Sequence, residues 1–200
     1  MIQAMDAKAF DACIAAGGVA VFPADTVYGL ACDPDSAEAV ERLYALKGRP
    51  TGKPSAVMFF DAALAVAALP ELGPRTRALM GRLLPGGVTL LLPNPRGRWP
   101  LAGGEGLGLR VPDVPLLRGV GSVVLQSSAN LAGAPDARRL EDVPEEIRRA
   151  ADLVIDAGQL PGTPSTVIDL RRFEDGGAWE VVRAGAVAPE AVERAVADTA

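Results

Sequence analysis

Basic and small polar side chains gather at a few places in this 200-residue chain, and histidine is absent throughout. The basic ones form Lys47-Gly48-Arg49-Pro50, followed by Lys53-Pro54, with Arg110 and Arg183 further along. The small polar ones stand in Pro23-Ala24-Asp25-Thr26-Val27-Tyr28-Gly29-Leu30, in Ser127-Ser128-Ala129-Asn130 and in Pro164-Ser165-Thr166-Val167. Without histidine, a Ser-His-Asp triad, a Cys-His pair and every His-liganded metal site are excluded. What remains is positive charge and hydrogen-bond donors. Lys47, Arg49, Arg110 and Arg183 can neutralise phosphates or a carboxylate, arginine offering a bidentate fork. Ser128, Asn130, Ser165 and Thr166 can add neutral donors. Such a set suits phosphoryl or nucleotidyl transfer, in which a protein mainly positions reactants and stabilises charge. From the residues alone the chain reads as a binder of a phosphorylated small molecule.

Each group also has a plainer meaning. A Lys-Gly-Arg-Pro run is commonly a solvated helix end, and Ser-Ser-Ala-Asn after a strand is commonly a turn or an N-cap. A lysine at a helix end is rarely core, so Lys47→Ala is expected to leave the fold intact. Repetition favours the functional meaning: several such loops start where strands end, which is where α/β proteins place ligands. Three near-motifs fail. Gly48 to Lys53 is one residue short of a P-loop, with Pro54 in place of the hydroxyl residue. Gly106-Leu107-Gly108 lacks the third glycine of a dinucleotide fingerprint, and Asp33 with Asp35 is too little for a calcium loop. Cys13 and Cys32 lack C-x-x-C spacing and read as ordinary reduced thiols.

The elements that must hold these residues can be read from periodicity. Asp6 to Ala16 reads as a helix closed by Gly17-Gly18, and Val19–Phe22 as a strand stopped by Pro23. A loop holding Asp25, Thr26 and Gly29 follows. Asp35 with Glu38 makes a capping box for a helix with core stripe Val40, Leu43 and Leu46, ending near Lys47 and Gly48. Strand-like runs recur at Ala56–Phe60, Val88–Leu92, Leu107–Val111, Val123–Gln126, Leu153–Ile155, Thr166–Leu170 and Trp179–Val182. Helical stretches fall at Ala62–Leu69, Arg75–Leu83, Pro144–Ala151 and Pro189–Ala197. This interleaving implies α/β, and the lack of a helix between the strands near Val88 and Leu107 implies a mixed sheet rather than a regular βαβ repeat. Pro93–Glu105, rich in Pro, Gly and Arg, reads as a mobile loop and not a domain boundary.

Composition sets outer bounds. A hydrophobic fraction of 49% supports a proper core, and aromatics at 4% leave it to Val, Leu and Ala. The net charge of −5 gives no global field toward nucleic acid, so any polyanion site must be a local cluster. No apolar run approaches the ~20 residues that span a bilayer, and the N-terminal residues lack a secretory pattern. The expectation is a soluble, cytoplasmic protein with no membrane partner.

Seven stretches in order resemble the YrdC/YciO family of threonylcarbamoyl-AMP synthases: PADTVYGLACD (Pro23–Asp33), LYALKGRPTGKP (Leu43–Pro54), LLPGGVTLLLP (Leu83–Pro93), LGLRVPDVPL (Leu107–Leu116), SSANLAG (Ser127–Gly133), PSTVID (Pro164–Asp169) and VVRAGAV (Val181–Val187). The resemblance implies a single YrdC-like domain over residues 1–200, of the family's short form. Its sheet would be twisted and mixed, flanked by helices around a deep, positively charged cavity. It implies synthesis of threonylcarbamoyl-AMP and pyrophosphate from L-threonine, bicarbonate and ATP, with Mg²⁺ arriving with ATP and no protein-bound structural metal. A partner transferase would carry the threonylcarbamoyl group to adenosine 37 of tRNA. Lys47 and Arg49 would bind the ATP phosphates and carry the catalysis, with Ser128, Asn130 and Arg183 completing the nucleotide site. Thr26, Arg110 and Ser165 would hold threonine. Two other functions stay open: a related domain that forms carbamoyl-adenylates from a different donor, and an RNA-binding module without this activity. Weak RNA binding is a further partner expectation beside ATP, L-threonine, bicarbonate and the downstream transferase.

Overall fold

The computed structural model describes residues 2–50 and 52–199; Thr51, within LYALKGRPTGKP, lies outside them. Nine strands form one mixed sheet. In chain order they are β1 (Ala20–Pro23), β2 (Tyr28–Cys32), β3 (Ala56–Met58), β4 (Val88–Leu92), β5 (Leu107–Arg110), β6 (Val124–Ser128), β7 (Leu153–Val154), β8 (Thr166–Asp169) and β9 (Glu180–Arg183). Their spatial order is β7-β1-β2-β6-β3-β5-β4-β8-β9. The pairs β1–β7, β3–β5 and β4–β8 are parallel, and the remaining neighbours are antiparallel. The mixed α/β architecture expected from the spacing is therefore present.

Strand periodicity divides the sheet's two faces. On one face Val21, Leu30, Val57, Leu90, Leu109, Leu125 and Ile168 join a single buried cluster. It is covered by α2 (Ala37–Leu46), α3 (Ala62–Ala68), α4 (Pro74–Leu83), α5 (Glu145–Ala150), α6 (Phe173–Gly176) and α7 (Pro189–Ala197), which contribute Leu43, Ala65, Leu79, Ile147, Phe173 and Val192. On the other face α1 (Ile2–Ala15) packs Phe10 and Ile14 against Phe22, Ala31, Met58 and Val124. Phe10 meets Phe22 and Phe60 edge-on, with ring centroids 5.5 and 5.3 Å apart, an arrangement aromatic quadrupoles favour.

Four local expectations are revised. The segment after Pro23 is not all loop: Tyr28–Cys32 is a strand buried at every position, so it shows no alternation to read. The turn before it closes through Ala24 N–H donating to the Val27 carbonyl at 3.2 Å. The cap of α2 is Ser36, whose side chain accepts from Ala39 N at 3.3 Å. Glu38 then falls one residue short of the reciprocal position and complements the helix dipole from the first turn instead. The first helix begins at Ile2, ahead of Asp6. Finally, the Pro93–Glu105 segment is tied down rather than free. Trp99 packs edge-on against Phe59 at 5.7 Å, Asn94 exchanges two hydrogen bonds with the Arg98 backbone, and Arg98 Nε reaches Glu71 at 3.1 Å. Gly48 closes α2 as expected, at φ 57°, where a side chain would be strained.

One glycine fixes how the last strand meets the loop before β8. A Cβ on Gly185 would stand 2.3 Å from the Pro164 carbonyl oxygen and 2.5 Å from the Ser165 carbonyl carbon. The next residue, Ala186, donates to that same Pro164 oxygen at 2.8 Å. Gly185→Ala must push the Pro164-Ser165 backbone away. It should cost about 1–3 kcal/mol in urea unfolding, an effect that an equally small change at the open position Gly81 should not reproduce.

Candidate active site

Half of the second face carries no helix, and there the sheet floors a cavity of about 390 Å³. The floor comes from alternate residues of neighbouring strands: Gln126 and Ser128, Ala56, Gly108 and Arg110, Thr89 and Leu91, and Val167. Every wall residue belongs to a strand or a loop, none to a helix. Of the residues singled out in the sequence, Arg49, Ser128, Arg110, Ser165 and Arg183 line this cavity. Thr26, Lys47 and Asn130 stand behind the lining and act on it through hydrogen bonds.

Lys47 caps α2 and is only 3% exposed, so the expectation of a solvated helix end is wrong for it. Its Nζ donates to the Ser128 carbonyl, to the Asn130 carbonyl at 2.8 Å and to Asn130 Oδ1 at 3.1 Å. Ser128 Oγ donates to Asn130 Oδ1 at 2.5 Å, and Asn130 Nδ2 to the Ala134 carbonyl at 2.5 Å. Ala132 N–H returns a bond to the Lys47 carbonyl at 2.9 Å. The ammonium thus knots the end of α2 to the loop after β6. Burial and the neighbouring Arg49 cation bring its pKa down to about 8, with Asp136 acting in the opposite sense. Arg49 lies on the cavity side, donating to Ser127 Oγ at 3.2 Å and to the Pro54 carbonyl at 2.6 Å, with its guanidinium 5.6 Å from the Tyr44 ring centre. Such stacking leaves the remaining N–H groups directed at a ligand.

The second cluster sits where β5 ends and β8 begins. Arg110 is 4% exposed; its Nη2 donates to Asp25 Oδ1 at 2.6 Å and to Thr26 Oγ1 at 3.1 Å. Burial pulls its pKa down, Asp25 opposes that, and the nearby Arg183 adds to it. Ser165 and Thr89 share a hydrogen bond of 2.8 Å between hydroxyls. Arg183 donates to the Ser165 carbonyl at 2.8 Å and to Ser165 Oγ at 3.2 Å. Arg183 and Ser165, expected in different subsites, are therefore direct partners. Thr166, counted among the neutral donors, turns away and bonds the Val187 carbonyl at 2.7 Å.

The sequence reading passed over several wall residues: Thr89, Gln126, Asp136, Glu105 and Arg171. Thr89 and Gln126 carried a usable signal, each being a polar residue inside an apolar strand on the face opposite the core. Arg171 is held by Asp169 at 2.6 Å and lies 3.7 Å from Glu105. Glu105 and Asp136 are the carboxylates on the wall. Among the described residues no group of three or more His, Cys, Asp or Glu is placed to hold a metal ion, and no helix is long and apolar enough to cross a membrane.

A mixed sheet whose uncovered part floors a cavity walled by guanidinium groups and hydroxyls defines an α/β protein with a cavity suited to anionic groups. Residues 12–185 match the Sua5/YciO/YrdC family model, described as telomere recombination, and the chain belongs to that family. It is 35% identical over 162 residues to the threonylcarbamoyl-AMP synthase of Bacillus subtilis, an alignment covering 75% of this chain and 46% of that protein. The Stenotrophomonas maltophilia threonylcarbamoyl-AMP synthase is 35% identical over 156 residues, covering 72% of this chain and 82% of that one. The crystal structure of P. abyssi Sua5 complexed with L-threonine superposes with a TM-score of 0.82 at 27% identity, over 96% of this chain and 57% of that one. The chain thus spans about half the length of the B. subtilis protein and somewhat more of the P. abyssi one.

The buried ammonium has a titration consequence. A lysine whose folded pKa is lowered is charged below about pH 8 and neutral above it. Its burial penalty is therefore full below pH 8 and is relieved as pH rises toward the unfolded value of about 10.4. NMR of the labelled Lys47 side chain should show a midpoint near 8 in the free protein. Lys47→Ala should lower stability by about 1–3 kcal/mol, because carbonyls of the loop after β6 lose their donor. An unchanged melting curve would return Lys47 to the solvated-end reading.

Proposed function

We propose that this chain is an enzyme, a nucleotidyltransferase that makes threonylcarbamoyl-AMP from L-threonine, bicarbonate and ATP with release of pyrophosphate. The observation that carries the reading is that one cavity of a family member is walled by the buried Arg110, backed by Thr26, together with Ser165 and the cation Arg49. The relatives named as threonylcarbamoyl-AMP synthases and the relative solved with L-threonine support it. So does the chemistry of the donors, which suits two anionic groups brought close together.

In this reading Arg110, helped by Thr26 and Ser165, holds the carboxylate and hydroxyl of threonine and leaves its amino group facing the cavity. The amine forms a C–N bond with the carbon of bicarbonate, water leaves, and a carbamate results. One carbamate oxygen bonds to the α-phosphorus of ATP, the bond from that phosphorus to the bridging oxygen breaks, and pyrophosphate departs with its electron pair. Arg49 binds the phosphates from the cavity wall, with Lys47 acting behind it by holding the loop after β6, and Ser128 and Arg183 meet the remainder of the nucleotide, Asn130 acting through its bonds to Lys47 and Ser128. The cations offset the repulsion between the carbamate and the phosphates. An anionic carbamate needs no histidine to activate it. Mg²⁺ would enter with the ATP phosphates, which suits an ion that keeps most of its water and takes one or two carboxylates at most; Glu105 and Asp136 are within the same wall. A cytoplasmic transferase acting on tRNA would consume the product, and weak RNA binding at the cavity mouth is compatible with these cations.

The test is pyrophosphate release from purified protein with ATP, Mg²⁺, bicarbonate and each amino acid. Release should need both threonine and bicarbonate. Arg49→Ala should cut kcat/KM for ATP by about tenfold to a hundredfold, the value of a charge-assisted contact, at an unchanged melting temperature. Release driven by carbamoyl phosphate, or none with any amino acid, would overturn the assignment.

A further inference from the structure

Asp25 is not among the residues that line the cavity, yet it is bonded to a cation that does. Its Oδ1 accepts from Arg110 Nη2 at 2.6 Å, and its Oδ2 accepts from the Asp113 backbone N–H at 3.3 Å. One carboxylate thereby ties the last residue of β5 to the chain three residues beyond, from the turn between β1 and β2. The side chains of Arg110 and Asp25 are 4% and 11% exposed. Arg110 Nε is buried and has no hydrogen-bond partner within the described residues. Arg110 lines the cavity with Nη2 clamped from behind, and its Nη1 makes no hydrogen bond among the described residues, which leaves that guanidinium a donor for an anion.

We infer that Asp25 is a positioning residue: it fixes the Arg110 fork from behind, so that the open donors meet a substrate carboxylate in one orientation. This rests on the reading of Arg110 as the carboxylate anchor for the amino acid. Two effects of Asp25 compete. Its negative charge weakens the attraction of Arg110 for another carboxylate, while its hydrogen bond removes the rotamer freedom of a long side chain. The geometric effect wins here for two reasons. Asp25 takes a single N–H of Nη2, which Thr26 also engages, and leaves Nη1 without a hydrogen bond among the described residues. Without it, Arg110 would also be an uncompensated buried cation beside Arg183, and it would swing out of its place toward water. Thr26 Oγ1, at 3.1 Å from the same Nη2, carries no charge to prevent this.

The two effects predict opposite signs, which makes the inference testable on the full chain. Binding of L-threonine and of L-threoninamide, which lacks the carboxylate, is measured by calorimetry for the wild type, Asp25→Asn, Asp25→Ala and Arg110→Ala, with ATP affinity and melting temperature recorded alongside. Wild type should prefer threonine. Asp25→Ala should weaken threonine binding by about tenfold or more, with threoninamide and ATP binding changed less than about twofold, so that the preference collapses as it does in Arg110→Ala. Asp25→Asn, which keeps the size and one acceptor oxygen, should fall between, and it decides the matter should Asp25→Ala melt far below the wild type. Tighter threonine binding in Asp25→Asn would mean that Asp25 is a competitor and not a positioner. Equal loss of threonine, threoninamide and ATP binding would mean a merely structural role. Either overturns the inference while leaving the reading of Arg110 intact. A wild type that shows no preference for the carboxylate removes both.

Discussion

The Arg110 guanidinium is held almost out of water beside a second guanidinium, and much of the fold serves to keep it there. A buried cation costs several kcal/mol unless a counter-charge and hydrogen bonds replace its hydration. Asp25 and Thr26 supply those from the turn between β1 and β2, while Arg183 finds its partners on Ser165. These groups belong to four segments far apart in sequence. The parallel pairings β3–β5 and β4–β8, with β9 against β8, bring their ends together. Had β5 slipped by one residue against its neighbours, Arg110 would turn toward the apolar cluster on the opposite face.

At the other end of the cavity the same problem has a different solution. Lys47 is buried among neutral oxygens, two of them backbone carbonyls, and has no carboxylate in hydrogen-bond contact. Neutral acceptors compensate a charge only in part, which is why its pKa falls to about 8. Arg49, two residues on, keeps its guanidinium at the wall through contacts with Ser127, Pro54 and the Tyr44 ring. One cation therefore shapes the loop and the other faces the cavity, although the two are near neighbours in a single short motif.

Much of this was open to inspection in the chain itself. The four polar loops, the mixed sheet and most strands follow from alternation, breakers and the clustering of Lys, Arg, Ser and Asn at strand ends. β2 escaped because a strand buried on both faces has no alternating pattern, and Gly29 within it looks like a turn residue. The N-cap moved from Asp35 to Ser36 because spacing to an acidic residue does not reveal which residue precedes the first helical turn. Lys47 was misjudged for a deeper reason: helix position predicts exposure only when nothing packs over the helix end, and here the loop after β6 closes on it.

Residue types alone limit the chemistry available to this chain. With no histidine and with lysine, arginine and hydroxyl residues at strand ends, it allowed anion binding and excluded the common His-based mechanisms. Amino-acid types and local periodicity suffice for that, since they are properties of single residues and short windows. Which donors act together emerges only in the folded chain: Arg183 joins Ser165, Thr166 turns away, Thr89 and Gln126 are wall residues, and Asp25 reaches Arg110 across 85 residues of chain. Those partnerships depend on strand order and register, which long-range packing sets and no local pattern encodes.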